Sequence, residues 1–247
     1  MSRQEEIVKI VSEHKKIEVN ELSKRLEVSK VTIRKDLDKL ESRGILHREH
    51  GYAVLNSEDD LNYRLAINYE LKRKIAKEAA KEVEDNETVL IESGSTCALL
   101  AEELAFNRKN ITIITNSSFI AGYVRNSESV NIILLGGEHQ KQSQVNIGVL
   151  TELAVSQFYV EKLFIGIDGV DKKRGFTSVD LRRSETARIM AEQAEDVVIL
   201  TDSSKFDAKG IVTEFQFSEV TKVYTDSGIH MEDKQFLNNH HIQVITV

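Results

Sequence analysis

Between residues 88 and 247, seven short runs rich in Val, Ile and Leu (88–92, 111–115, 130–135, 162–167, 196–201, 222–225 and 242–247) alternate with longer amphipathic stretches. Runs this short and apolar suit strands covered on both faces, and the stretches between them are long enough to carry the chain back to the same end of a sheet. The alternation predicts an α/β domain, Rossmann-like, with a mostly parallel sheet layered by helices. Ligands of such sheets sit beyond the carboxyl ends of the strands, so the residues just after each run are the informative ones. A helix over residues 70–84 is predicted to lead in, with Leu71, Ile75, Ala79 and Val83 on one stripe and Lys72, Arg73, Lys74 and Lys77 toward solvent.

The first 56 residues follow a different period. Ile7, Ile10 and Val11 predict a helix over residues 3–14. After a polar break at 15–18, Asn20 is placed to cap a second helix, 21–27, carrying Leu22 and Leu26 on one face. Ser29 is placed to cap a third helix running to residue 43, with Gly44 closing it. At about 100° per residue, Ile33, Leu37 and Leu40 face the other helices, while Val31, Thr32, Arg34, Lys35 and Lys39 turn away. Residues 45–55 read as two short strands around a turn near Gly51.

A docked helix with cations and a hydroxyl on its free face, beside a hairpin, is what a major-groove reader with a wing requires. The helix charges alone suit a solvated face equally well. On the DNA reading, Ser29, Lys30, Val31, Thr32, Arg34, Lys35 and Lys39 form the reading surface, and His47, Arg48, His50 and Tyr52 touch phosphates or the minor groove. The chain then divides into a winged helix-turn-helix at 1–56, a linker without clear period at 57–69, and an α/β domain at 70–247 for effector binding and oligomerisation.

Charge follows this division. Residues 1–56 carry 12 Lys and Arg against 10 Asp and Glu, and the remainder 21 against 30, so a weakly basic head sits on an acidic body whose total is −7. With no proline in 247 residues, turns fall to Gly, Asn, Asp and Ser. A single cysteine, Cys97, excludes an intramolecular disulfide and a Cys-rich metal site, and a buried small hydrophobe is its expected role. His240-His241 enter a strand side by side and would point to opposite faces, so neither a metal nor a cofactor is expected. No apolar run approaches the roughly 18 residues that span a bilayer, and the charged start lacks a signal-peptide core. A cytoplasmic protein without a membrane partner is expected.

The stretch 28–41, Val-Ser-Lys-Val-Thr-Ile-Arg-Lys-Asp-Leu-Asp-Lys-Leu-Glu, followed by Gly44-Ile45-Leu46 and His50-Gly51, closely resembles the DNA-binding signature of the DeoR family of bacterial regulators. Gly51-Tyr52 stands where that family usually has two glycines.

The turns after the runs are polar. Ser93-Gly94-Ser95-Thr96 opens a helix and offers amides, a dipole and hydroxyls to a phosphate, although a plain helix cap would use the same residues. The next turns are Thr115-Asn116-Ser117, Gly136-Gly137-Glu138, and Gly166-Ile167-Asp168-Gly169-Val170-Asp171, with Gly175-Phe176-Thr177-Ser178 and Glu185 beyond. Carboxylates there can accept from sugar hydroxyls, and glycines admit close backbone approach. In Asp202-Ser203-Ser204-Lys205-Phe206 the lysine suits either a phosphate or a structural ion pair. The candidate effector contacts are therefore Ser93, Gly94, Ser95, Thr96, Asn116, Ser117, Gly136, Gly137, Asp168, Gly169, Thr177, Glu185 and Lys205.

These turns extend the resemblance to the DeoR effector domain, which implies a fold similar to ribose-5-phosphate isomerase and a phosphorylated sugar or polyol as effector. It also implies a double-stranded DNA operator as partner, with repression as the usual sign. Ser93-Gly94-Ser95-Thr96-Cys97 stands where many members have Asp-Gly-Gly-Thr-Thr, and Ala187 where a lysine is common. The rival reading is a sugar-phosphate isomerase fused to a DNA-binding module, with Asp168, Asp171 and Glu185 as acid–base groups. Related isomerases carry a lysine in the loop corresponding to Gly175-Phe176-Thr177-Ser178, and none stands there. Sensing without turnover is expected, by a homo-oligomer (dimer or tetramer), since one small winged helix reads too little sequence alone.

Overall fold

The computed structural model describes residues 3–42, 46–55 and 59–247, and the chain forms two compact units, Met1–Tyr69 and Glu70–Val247.

In the first unit α1 (Arg3–His14) is followed by β1 (Lys16–Glu18), α2 (Val19–Arg25), α3 (Lys30–Ser42), β2 (Leu46–Glu49), β3 (Tyr52–Leu55) and α4 (Leu61–Ala66). Ile7, Val11, Leu22, Ile33, Leu37 and Leu40 are all at most 1% exposed, so the three expected helical stripes close on one core. Ser29 caps α3 by accepting from the Thr32 amide at 3.1 Å. The tight turn before it relies on Glu27 at φ 53° and on Ser23, whose hydroxyl donates to the Val28 carbonyl at 2.6 Å. The third helix's expected close at Gly44 lies outside the described residues.

Three expectations are corrected. The second helix begins at Val19, with Glu18 rather than Asn20 in the cap position. Residues 16–18, taken as a polar break, form a strand whose lone apolar residue Ile17 points into the core while Lys16 and Glu18 stay in solvent. That strand pairs with β3, giving a three-stranded sheet in the order β1-β3-β2. Part of the expected linker is helical: Asp60 caps α4 by accepting from the amides of Asn62 and Tyr63, and Tyr63 and Ala66 join the head's core.

The wing turn is two residues long, with His50 at φ 48° and Gly51 at φ 87° between the paired residues Glu49 and Tyr52. Positive φ at both positions suits a type I′ hairpin. Tyr52 is the first residue of β3 and makes no demand for glycine.

The second unit runs α5 (Tyr69–Ala79), β4 (Thr88–Ile91), α6 (Ser95–Asn107), β5 (Ile111–Thr115), α7 (Ser118–Tyr123), β6 (Val130–Leu134), β7 (Glu138–Gln140), β8 (Val145–Ile147) and α8 (Val149–Val155). It continues with β9 (Val160–Ile165), β10 (Gly169–Asp171), β11 (Gly175–Ser178), α9 (Leu181–Ala191), β12 (Ala194–Leu200), β13 (Val212–Phe215), β14 (Lys222–Thr225), α10 (Met231–Asn239) and β15 (Gln243–Thr246). All seven expected runs form one parallel sheet in the order β15-β14-β12-β9-β4-β5-β6. Winding proceeds outward one way from β4 and the other way from β9, so the topological switch point, where such sheets bind ligands, lies between these two strands.

Two smaller pieces stand beyond the sheet: the β7–β8 hairpin and an antiparallel sheet in the order β10-β11-β13. Lys72, expected in solvent, is 7% exposed. The lead-in helix gives way at Ala79 to a short 3-10 turn. Histidines 240 and 241 lie at the turn after α10 rather than in a strand, with His241 at φ 64°. Cys97 is buried. Among the described residues, no helix is long and apolar enough to cross a membrane.

Candidate functional site

In the head, Lys30, Val31, Arg34, Lys35 and Lys39 are exposed along α3, while Ser29 and Thr32 are occupied in the cap, their hydroxyls 2.9 Å apart. The helix is fixed from behind: Asp36, 5% exposed, accepts from Arg3 Nε at 2.6 Å and Gln4 Nε2 at 3.3 Å. Burial would raise the pKa of Asp36, but these bonds, Arg3 foremost, hold it below its usual value.

The wing residues divide. His47 and His50 are exposed. Arg48 is engaged by carboxylates of α3, with Nη2 at 2.7 Å from Asp38 and 2.6 Å from Glu41. Tyr52 donates its hydroxyl to Glu18 at 3.0 Å, and Lys16 Nζ lies 4.9 Å from the centre of its ring. Arg48 and Tyr52 thus hold the wing's shape.

In the second unit, the chain leaves β4 through Glu92, Ser93 and Gly94 and enters α6. Gly94 occupies the cap position at φ 137°, and no side chain caps the helix, so no side-chain oxygen competes for the first amides. Glu92, Ser93, Ser95 and Thr96 are each at most 8% exposed, and Ser93 donates to Glu92 at 2.7 Å. The turn after β9 lies alongside: a Cβ placed on Gly166 would come within 4.0 Å of the Ser93 carbonyl. Asp168 accepts from the Val179 amide at 3.0 Å and from the Ser178 hydroxyl at 3.4 Å. At the end of β5, Asn116 donates to the Asn146 carbonyl at 3.2 Å, while its buried Oδ1 receives no hydrogen bond.

Several expected contacts also have structural duties. Ser117 caps α7. A Cβ on Gly137 would fall 2.0 Å from Thr151 Oγ1, and one on Gly169 would fall 2.3 Å from the Ala208 carbonyl, so both glycines admit close packing. Gly136, exposed, accepts from Thr151 through its carbonyl at 2.8 Å. Thr177 is buried and accepts from the Gly210 amide at 2.8 Å. Glu185 is exposed on α9. Lys205 is half-buried in the 3-10 turn that follows Asp202.

The sequence reading missed three charged residues. Glu214, 6% exposed on β13, has its pKa pushed well above the usual carboxylate range, first by burial, then by Glu92 and Asp168, with Arg183 and Arg188 opposing. The acids at the ends of β4 and β9 are therefore within electrostatic reach of β13. Arg183, 8% exposed on α9, belongs to the same group. The only sequence signal was position: Glu92 directly precedes the Ser93–Thr96 turn. A polar turn with an uncapped helix start on one side and carboxylates on the other can hold a small polyhydroxylated anion.

The chain matches two family models, a DeoR-like helix-turn-helix domain over residues 3–59 and a DeoR C terminal sensor domain over residues 67–227. A putative aga operon transcriptional repressor of Escherichia coli O157:H7 is 29% identical, covering 99% of this chain and 93% of its own. The glycerol-3-phosphate regulon repressor of Escherichia coli K12 is 31% identical, over 82% of this chain and 81% of its own. The lactose phosphotransferase system repressor of Streptococcus mutans is 32% identical, over 91% of each. Among solved structures, a ribose 5-phosphate isomerase of Methanocaldococcus jannaschii overlaps 56% of this chain and 55% of its own at 23% identity, with a TM-score of 0.41. Nothing about ligand or activity follows from an overlap that partial.

Proposed function

The chain belongs to the DeoR family of transcriptional regulators, and from that premise we propose that it represses a carbohydrate-utilisation operon and is released or modulated by a phosphorylated sugar or polyol. The observation that carries the effector reading is the start of α6. Its amides are uncapped by any side chain, Gly94 lets the backbone approach, and the turn stands at the switch point between β4 and β9. Ser93, Ser95 and Thr96 surround the phosphate, and Asp168, within electrostatic reach of Glu214 as Glu92 is, faces the hydroxyls. Three relatives whose names state repression of the aga operon, the glycerol-3-phosphate regulon and a lactose phosphotransferase system support the same class of control.

The effector is bound without turnover. Lys172, in the turn that leads into the Gly175–Ser178 loop, pairs with Asp233 at 2.8 Å and stands 5.7 Å from the Phe236 ring centre. The working unit is a homo-oligomer joined through the larger domain. Val149, Leu150 and Leu153 of α8 are 60–69% exposed, with Leu181 of the neighbouring α9 at 58%, an apolar face that a second copy would cover.

A thermal-shift screen of the full chain against phosphorylated sugars and polyols tests this reading, with fluorescence anisotropy on duplexes selected from a random pool as its second arm. One compound raises the melting temperature of the free protein and weakens its hold on DNA by a shared coupling factor. Turnover of that compound by the purified protein overturns the sensor reading.

A further inference from the structure

Val31 is 61% exposed and is the one large apolar residue so exposed among the described residues of the head. Its position has no local justification. Valine is a poor helix former through its branched Cβ, and the second residue of a helix favours acidic or hydroxyl side chains. Burial does not explain it either. At about 100° per residue, Val31 and Lys35 fall within about 30° of the direction opposite the stripe of Ile33, Leu37 and Leu40. They point as far from the core as the helix allows. That placement is rigid, because the Ser29 cap fixes the start of α3 and Arg3 holds Asp36 from behind.

Recognition helices of this motif put their N-terminal residues against base edges. Lys30, Arg34 and Lys35 surround Val31 and are exposed; these cations suit guanine edges or phosphates. An isopropyl group among them has one apolar counterpart on the major-groove edges of unmodified base pairs, the methyl group on C5 of thymine.

We propose that Val31 reads the C5 methyl of a thymine in the major groove and so sets the base preference at one position of each operator half-site. This rests on α3 being the reading helix. It adds the chemistry of one position: an apolar contact that hydrogen-bonding neighbours cannot supply.

The test uses the full chain and a duplex selected by it from a random-sequence pool, at one fixed salt concentration. Each thymine is replaced in turn by deoxyuridine, which deletes only the methyl group, and binding is read by fluorescence anisotropy. At one thymine per half-site the replacement weakens wild-type binding about fourfold, corresponding to about 0.8 kcal/mol for one buried methylene-sized group. Val31→Ser, a surface change present at both half-sites, binds the thymine duplex about sixteenfold more weakly, two fourfold losses, and no longer distinguishes it from the deoxyuridine duplex. The proposal is overturned if no thymine is sensitive, or if the sensitive thymine stays equally sensitive in Val31→Ser. Failure to enrich any sequence, or enrichment that survives Arg34→Ala with Lys35→Ala, overturns instead the assignment of α3 as reader.

Discussion

Arg48 of the wing grips Glu41 of α3 three times over, through its backbone N–H at 2.9 Å, Nε at 2.8 Å and Nη2 at 2.6 Å. Those bonds, the backbone one foremost, hold the Glu41 carboxyl below its usual pKa. We propose that a guanidinium committed in this way positions β2 against α3 rather than neutralising a phosphate. Arg48→Ala should therefore weaken operator binding while leaving the slope of log affinity against log salt unchanged. Lys30→Ala or Arg34→Ala should flatten that slope by about 1 if either meets a phosphate. A slope change for Arg48→Ala of the same size would return it to the phosphate-contacting group.

Gly94→Asp should leave operator binding intact and abolish the response to effector. Gly94 sits at φ 137°, where a side chain is strained, and a carboxylate there would repel the phosphate from the α6 amides. An undiminished thermal shift in this variant would place the phosphate elsewhere.

Stability should decline with pH on account of Glu214. Its native pKa lies above the unfolded value of about 4.3, so the folded chain keeps a proton that the unfolded chain has lost. The stability associated with that proton is complete below the unfolded value and drains away as pH rises toward the native one. Glu214→Gln carries no such proton, so its melting temperature should gain on the wild type between about pH 5 and pH 8. About 1 kcal/mol corresponds to about 2–4 °C in a domain of this size. A difference that is flat across that range would mean Glu214 is ionised throughout.

Replacing Leu150 and Leu153 together by Glu should reduce the molar mass measured by light scattering to that of a single 28.0 kDa chain. Operator affinity should fall with it, because each copy would then hold one half-site. A wild-type chain that already measures as a monomer would remove the apolar face of α8 from the assembly.

The seven sheet strands were legible because each carries adjacent apolar residues, and a run such as Val197–Leu200 has no alternative to burial. The remaining strands of the second unit were not. Glu138–Gln140 and Gly169–Asp171 are three residues long, and their partners fix them as strands. Strand Lys16–Glu18 was missed for the same reason, with one apolar residue too few to show a period. At the proposed effector site, Gly94 was legible because a glycine flanked by hydroxyls directly follows an apolar run. Glu214 did not, since an acid between Thr213 and Phe215 looks like an outward-facing strand residue until the fold closes over it. Arg48 falls on the expected hairpin, but its carboxylate partners lie seven and ten positions away, and only the closed hairpin brings them together.

The switch point between β4 and β9 is also a seam in the gene. The main-sheet strands on one side of it are encoded before residue 135 and those on the other after residue 159, with none crossing over. On the proposed reading the earlier segment holds the anion and the later one inspects the rest of the molecule. A substitution in either segment then alters one half of the recognition and leaves the other in place.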